Sequence, residues 1–309
     1  MTRVRYFCRM DGQRYKLVVA DIDGTLMGRQ GHITDRVRRT IREAVAAGII
    51  FTLATGRWFR SAQPIALELD MNVPIVLHNG ALIKESVTGT VLDHCHFDRR
   101  SAMRAIERIC AHGLQPIIYE SAFFGELIST GPVEMDSEFT SRYLATKTGF
   151  VRRVTFDRYM LEQDPLQIAV ADVATRADAL IADLANGPWQ TVTSMSLAVP
   201  EARFVEILNP VCSKGRALAH LATHFGVQMH EVLAIGDNFN DLEMIETAGL
   251  GIAMGNAPDA VKSRSDWIAP SVDEDGLAVA IEQFVLQRKS NRETDQLWTK
   301  STIRHLGES

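Results

Sequence analysis

Asp21 and Asp23 stand two residues apart at the end of an apolar run, LVVADIDGTL (residues 17–26). Two carboxylates that close repel each other unless a cation lies between them, so the simplest chemistry open to the pair is holding a divalent metal ion. Taken alone, either Asp also suits a turn or a helix N-cap. Three further stretches bring polar groups of complementary kinds. Thr55 and Gly56 follow residues 49–54 (IIFTLA), Lys214 follows Ser213, and Asp237, Asn240 and Asp241 follow residues 232–235 (VLAI). Each has an ordinary explanation: a Thr-Gly turn, a solvated Lys, acid residues at a helix start where the dipole favours them. Together they amount to an acidic divalent-ion site, one fixed cation, and hydroxyl and backbone donors. That inventory suits an anionic substrate held by a metal, of which phosphate is the usual case.

The elements that must position these groups follow from hydrophobic periodicity. Residues 17–20, 49–54 and 74–77 are short continuous apolar runs, the pattern of strands buried on both faces. Between the first two, Ile33, Val37, Ile41 and Val45, with Ala44, mark the inner face of a helix that Gly48 ends. A second helical stretch runs to about residue 69. Strand, helix, strand, helix, strand predicts a doubly wound, Rossmann-like α/β parallel sheet. Ligands bind such sheets outside the carboxyl ends of the strands, where each polar cluster falls. From about residue 84 the rhythm changes. Strands are expected at residues 90–97, 115–119, 123–128, 166–173, 191–199 and 203–208, with helices at 99–112 and 176–184, and a polar, mixed stretch reaches Gly149. This is an α+β insert rather than more of the same sheet. Asp93, His94 and His96 could form a metal cluster, but an exposed strand face is the better reading. The first rhythm resumes at Ser213, an N-cap for a helix that Gly226 stops, and continues to a closing helix over residues 275–285.

Composition narrows the class. The 309 residues suit one large or two moderate domains, and 46% apolar with 23% charged residues is an ordinary globular balance. A net charge of -5 points away from nucleic acid and from anionic membrane surfaces. No apolar run approaches the ~18 residues of a membrane span. The basic N-terminus lacks the apolar region of a secretory signal. Cys8, Cys95, Cys110 and Cys212 are scattered without a CxxC, as expected of reduced thiols in the cytoplasm.

Four motifs, DIDGT (21–25), TGR (55–57), SKG (213–215) and GDNFND (236–241), occur in this order, with NGA (79–81) and AMGNA (253–257) as accessories. In this combination the chain resembles the haloacid dehalogenase-like phosphatases, specifically the Cof-like branch with a type IIB α+β cap. The resemblance covers residues 16–284. It implies an N-terminal extension over residues 1–14, a catalytic core over 15–84 and 208–288, a cap over 85–207 and a polar tail over 289–309. His78, where a small polar residue is more usual, is expected to line the substrate site.

The resemblance also implies roles. Asp21 is the nucleophile, forming an aspartyl-phosphate, and Asp23 the acid and base. Mg²⁺ is held by Asp21, the backbone carbonyl of Asp23 and Asp237, with Asp241 behind them orienting a metal water or Lys214. Lys214 supplies a second positive charge. Thr55, the Gly56 amide and Asn240 bind phosphate oxygens, and Asn79 is a further candidate for that task. The expected activity is Mg²⁺-dependent hydrolysis of small phosphorylated metabolites, either sugar phosphates or phosphorylated cofactors such as flavin mononucleotide or pyridoxal phosphate. The alternatives are a phosphotransferase or phosphomutase of the same family, and a non-enzymatic phosphosugar-binding regulator.

Overall fold

The computed structural model describes residues 14–28, 30–120, 123, 126–155, 164–196 and 199–287. The expected N-terminal extension up to residue 13 and the tail from 289 lie outside them. The chain divides into two compact units. One comprises the described residues up to Leu77, Lys84–Thr90 and the chain from Ser213. The other comprises His78–Ile83 and Val91–Cys212. The crossings expected at 84/85 and 207/208 fall instead at these four points. The NGA segment thus clusters with the inserted unit rather than with the strand it follows.

In the first unit β1 (Leu17–Ala20) is buried throughout, as its unbroken apolar run requires. α1 (Asp35–Ala46) starts at Thr34, whose hydroxyl accepts from the Val37 amide. β2 (Ile50–Leu53), α2 (Phe59–Glu68) and β3 (Pro74–Leu77) follow. The inner stripe of α1 is Val37, Thr40, Ile41 and Ala44, while Val45 is exposed. A spacing of four overshoots a 3.6-residue turn, so by its fourth member the series has rotated off the buried face. Just beyond β2, Ala54 forms an isolated parallel bridge with Val76 of β3.

β4 (Leu82–Glu85) follows His78–Gly80 and is divided between the two units, and the long segment of the inserted unit opens with β5 (Val91–His94). It continues through α3 (Arg99–Ala111), β6 (Ile117–Tyr119), β7 (Ile128–Thr130), α4 (Glu138–Ala145) and β8 (Val151–Arg153). It closes with β9 (Gln167–Asp172), α5 (Ala174–Leu184), β10 (Gln190–Ser196) and β11 (Val199–Leu208). Its sheet has the order β10-β11-β9-β6-β7-β8, antiparallel except between β7 and β8. α3 and α5 pack on one face, burying Ile106, Ile109 and Leu180 against Ile168, Val170 and Val205. α4 lies within the stretch read as polar and mixed, and β8 follows it where no element was expected; the strand expected at 123–128 overlaps β7 only at Ile128, with residues 124–125 outside the described residues. α4 bonds to the Ala171 carbonyl through Thr140 and sets Tyr143 edge-on to Phe204, residues that alternate with the α3/α5 side of the sheet.

Back in the first unit, α6 (Lys214–Phe225) is capped by Ser213 and ended by Gly226 at φ 69°. β12 (Val232–Gly236), α7 (Leu242–Thr247), β13 (Leu250–Ala253), α8 (Asp259–Lys262), β14 (Trp267–Ile268) and α9 (Gly276–Phe284) complete it. The sheet order is β14-β13-β12-β1-β2, parallel throughout. β1 and β12 lie side by side in register, Leu17 with Val232 through Ala20 with Ile235. Their carboxyl ends therefore deliver Asp21 and Asp237 to one edge. Two adjacent fully buried strands are what makes this edge rigid. Burying each large aliphatic side chain contributes about 1.5–3 kcal/mol, so a shift in register would cost several.

Candidate active site

Asp21 continues the β1 ladder by one bond, its amide donating to Ile235 at 3.0 Å. The residue is only 6% exposed. Lys214, the first residue of α6, is completely buried, and its Nζ donates to Asp21 Oδ1 and to Asp241 Oδ1, each at 2.6 Å. The other oxygen of Asp241 accepts from the amides of Asp237 and Asn238, at 2.9 and 3.0 Å. Both Asp241 oxygens are thus engaged, one fixing the loop after β12 and one fixing the lysine. Asp237 Oδ1 accepts from the Thr25 hydroxyl at 3.0 Å, and Asn256 donates to Asp237 Oδ2 at 3.4 Å and to the Gly24 carbonyl at 2.9 Å. Gly24 sits at φ 88° with its α-carbon against the Asp237 carboxylate, so a Cβ there would collide with it.

Charge and burial set the protonation. Burial pushes the Asp21 carboxyl up to about 7, opposed by Lys214 and reinforced by Asp241 and Asp23. Burial, then Asp21 and Asp241, push Asp237 up to about 8. Burial alone would lower the Lys214 pKa, but Asp21 and Asp241 beside it outweigh this and hold the ammonium charged. Three carboxylates share one lysine, so the set retains protons where a cation would relieve it. Ligand atoms of Asp21, Asp237 and Asp241 lie within 4.8 Å of one another, and no other such group occurs among the described residues. A donor set of hard oxygens only, with excess negative charge, fits a hard divalent cation. Asp21 and Asp237 would hold it, and Asp241 acts on them through Lys214 and the loop.

Asp23 faces a different environment. Its side chain is 37% exposed and is not part of the metal-capable group. Instead Arg57 grips it with two parallel bonds, Nε to Oδ2 at 2.7 Å and Nη2 to Oδ1 at 2.6 Å. Thr55 is buried, and its amide continues towards β3 by donating to Val76 at 3.0 Å. Its hydroxyl accepts from the Arg57 amide at 3.1 Å. Gly56 and Asn240 are half-buried, Asn240 next to Asp241 in the short 3₁₀ turn Phe239–Asp241.

Asn79 belongs to the inserted unit, where its amide donates to Glu206 at 2.6 Å. Its neighbour His78 bonds through Nδ1 to Gln167 at 2.8 Å. Both residues adopt left-handed φ, 48° and 52°. His94 and His96 stack at 4.4 Å with Phe123 edge-on to both, so these imidazoles form an aromatic cluster. Burial, then His94, lower the His96 pKa.

Three contributors escape a reading by residue type. Arg57 stands inside the TGR motif, yet its partner Asp23 is 34 residues away. Thr25 completes DIDGT and looks like a turn residue. Asn256 sits in AMGNA and reads as a loop amide. The detectable signal was that each lies inside a motif already singled out.

This edge of a doubly wound sheet, with an acidic metal-capable group locked to a buried lysine, matches the family model of haloacid dehalogenase-like hydrolases over residues 18–281. The chain belongs to that family and is an enzyme of its class. It is 30% identical over 288 residues to the stress response protein YhaX of Bacillus subtilis, covering 89% of this chain and 95% of that one. It is 28% identical to the 5-amino-6-(5-phospho-D-ribitylamino)uracil phosphatase YcsE of the same organism, over 88% and 96%. The solved structure of the subclass IIB sugar phosphatase BT4131 superposes with a TM-score of 0.69 at 21% identity, over 87% and 98%, which shows the shared fold. No helix among the described residues is long and apolar enough to cross a membrane.

Proposed function

We propose that this chain is a cytoplasmic, Mg²⁺-dependent phosphatase that hydrolyses small phosphorylated metabolites, sugar phosphates or phosphorylated cofactors, through an aspartyl-phosphate. The observation that carries the reading is the arrangement of buried Asp21, Lys214 and Asp241 with half-buried Asp237 at the carboxyl ends of β1 and β12. The phosphatase names of relatives support it.

Asp21 attacks phosphorus, with its free oxygen as nucleophile while Lys214 fixes the other. Mg²⁺, when bound at Asp21, Asp237 and the Asp23 carbonyl, screens the charge between an anionic nucleophile and an anionic substrate. Lys214 stays charged throughout because two carboxylates surround it, and Asp241 keeps it aimed. Thr55, the Gly56 amide and Asn240 bind phosphate oxygens. Asp23 donates a proton to the departing oxygen and then takes one from the water that opens the phosphoenzyme. Both its oxygens accept from Arg57, so that exchange requires the pair to open, which its partial exposure permits, and the same grip keeps it out of the metal set. Thus the two carboxylates are separated by environment as well as by role.

The test is phosphate release from a panel of phosphorylated metabolites, with and without Mg²⁺. Hydrolysis of one or more monoesters is expected. Transfer of the phosphoryl group to a sugar hydroxyl without phosphate release would instead identify a phosphotransferase or mutase. Tight sugar-phosphate binding without turnover would identify a binding regulator.

A further inference from the structure

We propose that Cys95 and Cys212 form a reversible disulfide when the protein meets a hydroperoxide. Cys212 is the last residue of the inserted unit, and Cys95 lies four residues beyond Val91, where the unit's long segment begins. The two ends of that segment run side by side. Asn209 Nδ2 donates to the His96 carbonyl at 2.7 Å, and the Cys95 amide donates to Ala81 at 2.7 Å. The Cys212 thiol points directly at Cys95, with Sγ 3.3 Å from its carbonyl oxygen. Both side chains pack in one small apolar cluster with Ala81, Val192 and Leu208. A disulfide requires Cβ atoms about 3.5–4.5 Å apart. The Cys212 thiol already touches its partner's backbone, so closing the bridge asks only for a local adjustment at these two residues.

Exposure divides the labour. Cys95 is half-buried and within reach of solvent, whereas Cys212 is buried. The Cys95 thiolate attacks a peroxide oxygen. The O–O bond breaks, the distal oxygen leaves as hydroxide and is protonated to water (or alcohol), and Cys95 becomes a sulfenic acid. The Cys212 sulfur, losing its proton, attacks the Cys95 sulfur. The S–O bond breaks and the hydroxide takes up that proton to leave as water. Two thiols are oxidised by two electrons and one peroxide is reduced. The bridge joins residues 117 apart and ties together both ends of the inserted segment. It should therefore hinder rearrangements of that segment during turnover, and this consequence, unlike the bridge itself, rests on the phosphatase reading.

The experiment uses the full chain, reduced, then exposed to hydrogen peroxide in mildly alkaline buffer, alkylated, digested and mapped by mass spectrometry. A Cys95–Cys212 peptide, lighter by two hydrogens and lost on reduction, is expected. Turnover should fall several-fold and recover with dithiothreitol, while Cys95→Ser and Cys212→Ser should be insensitive and Cys110→Ser should behave as wild type. Bridges only through Cys8 or between chains, or no 95–212 peptide, would overturn the proposal. This mapping needs no variant and no activity, so it stands even where a variant fails to fold. A bridge with unchanged turnover would overturn the regulatory consequence, and absence of any turnover in the reduced protein would count against the phosphatase reading alone.

Discussion

Mg²⁺ affinity should depend steeply on pH, with protons released on binding. Without metal, Asp21 holds a proton up to about 7 and Asp237 up to about 8, chiefly because both are buried. A metal ion binds the ionised carboxylates, so each retained proton weakens binding about tenfold per pH unit below its own value. From about pH 8 to about pH 6 the two factors multiply to roughly 500-fold, or about 3.7 kcal/mol. The sign for stability follows. Carboxyls raised above an unfolded value near 3.8 favour the fold at low pH, and that contribution is lost as pH rises through the folded values near 7 and 8. Metal should therefore raise the unfolding midpoint little at about pH 6 and markedly at about pH 8. Calorimetric titration in two buffers of different ionisation enthalpy counts the protons. Asp21→Asn should remove about one of them. An affinity that changes less than about threefold over this range, with no proton release, would refute the account of why this acidic set fits a cation.

Asp21→Asn should fold and yet retain less than about a thousandth of wild-type turnover, measured before deamidation can restore the acid. Lys214→Met should destabilise the metal-free protein by about 3–5 kcal/mol in urea unfolding at neutral pH, because it strands the buried Asp21 and Asp241 carboxylates. A loss below about 1 kcal/mol would show that the lysine does not compensate them. Asp23→Asn should cost little stability, ~0–1 kcal/mol, since its Arg57 pair is partly exposed. Its chemistry should change selectively: with p-nitrophenyl phosphate, whose leaving group needs no acid, rapid mixing should show a burst near one nitrophenolate per site, while sugar phosphates slow in the first step by ~10² to 10⁴. Equal slowing of both substrates without phosphoenzyme would make Asp23 structural.

The catalytic sheet was legible because parallel strands buried on both faces are written as unbroken apolar runs, and four of them end in polar clusters. Helix α4 was not legible. Only Thr140, Tyr143 and Leu144 of its eight residues are buried, too few to write a stripe. The assignment of His78–Ile83 to the inserted unit was hidden for another reason. It depends on Gln167 and Glu206, bonded across 89 and 127 residues, and nothing near His78 announces them. The site shows the same limit at higher resolution. DIDGT states that two carboxylates lie two residues apart, and a local reading treats them as a repelling pair. The structure separates them. Asp21 is turned to Lys214, 193 residues later in the chain, and is buried with a raised pKa. Asp23 is turned to Arg57 and remains partly solvated. The pair therefore needs no shared cation to be stable. The excess negative charge that calls for a metal arises between Asp21 and Asp237, side chains brought together by the β1–β12 register. The motif names the residues, but the long-range partners decide which of them is buried against Lys214 and which stays partly exposed in the grip of Arg57.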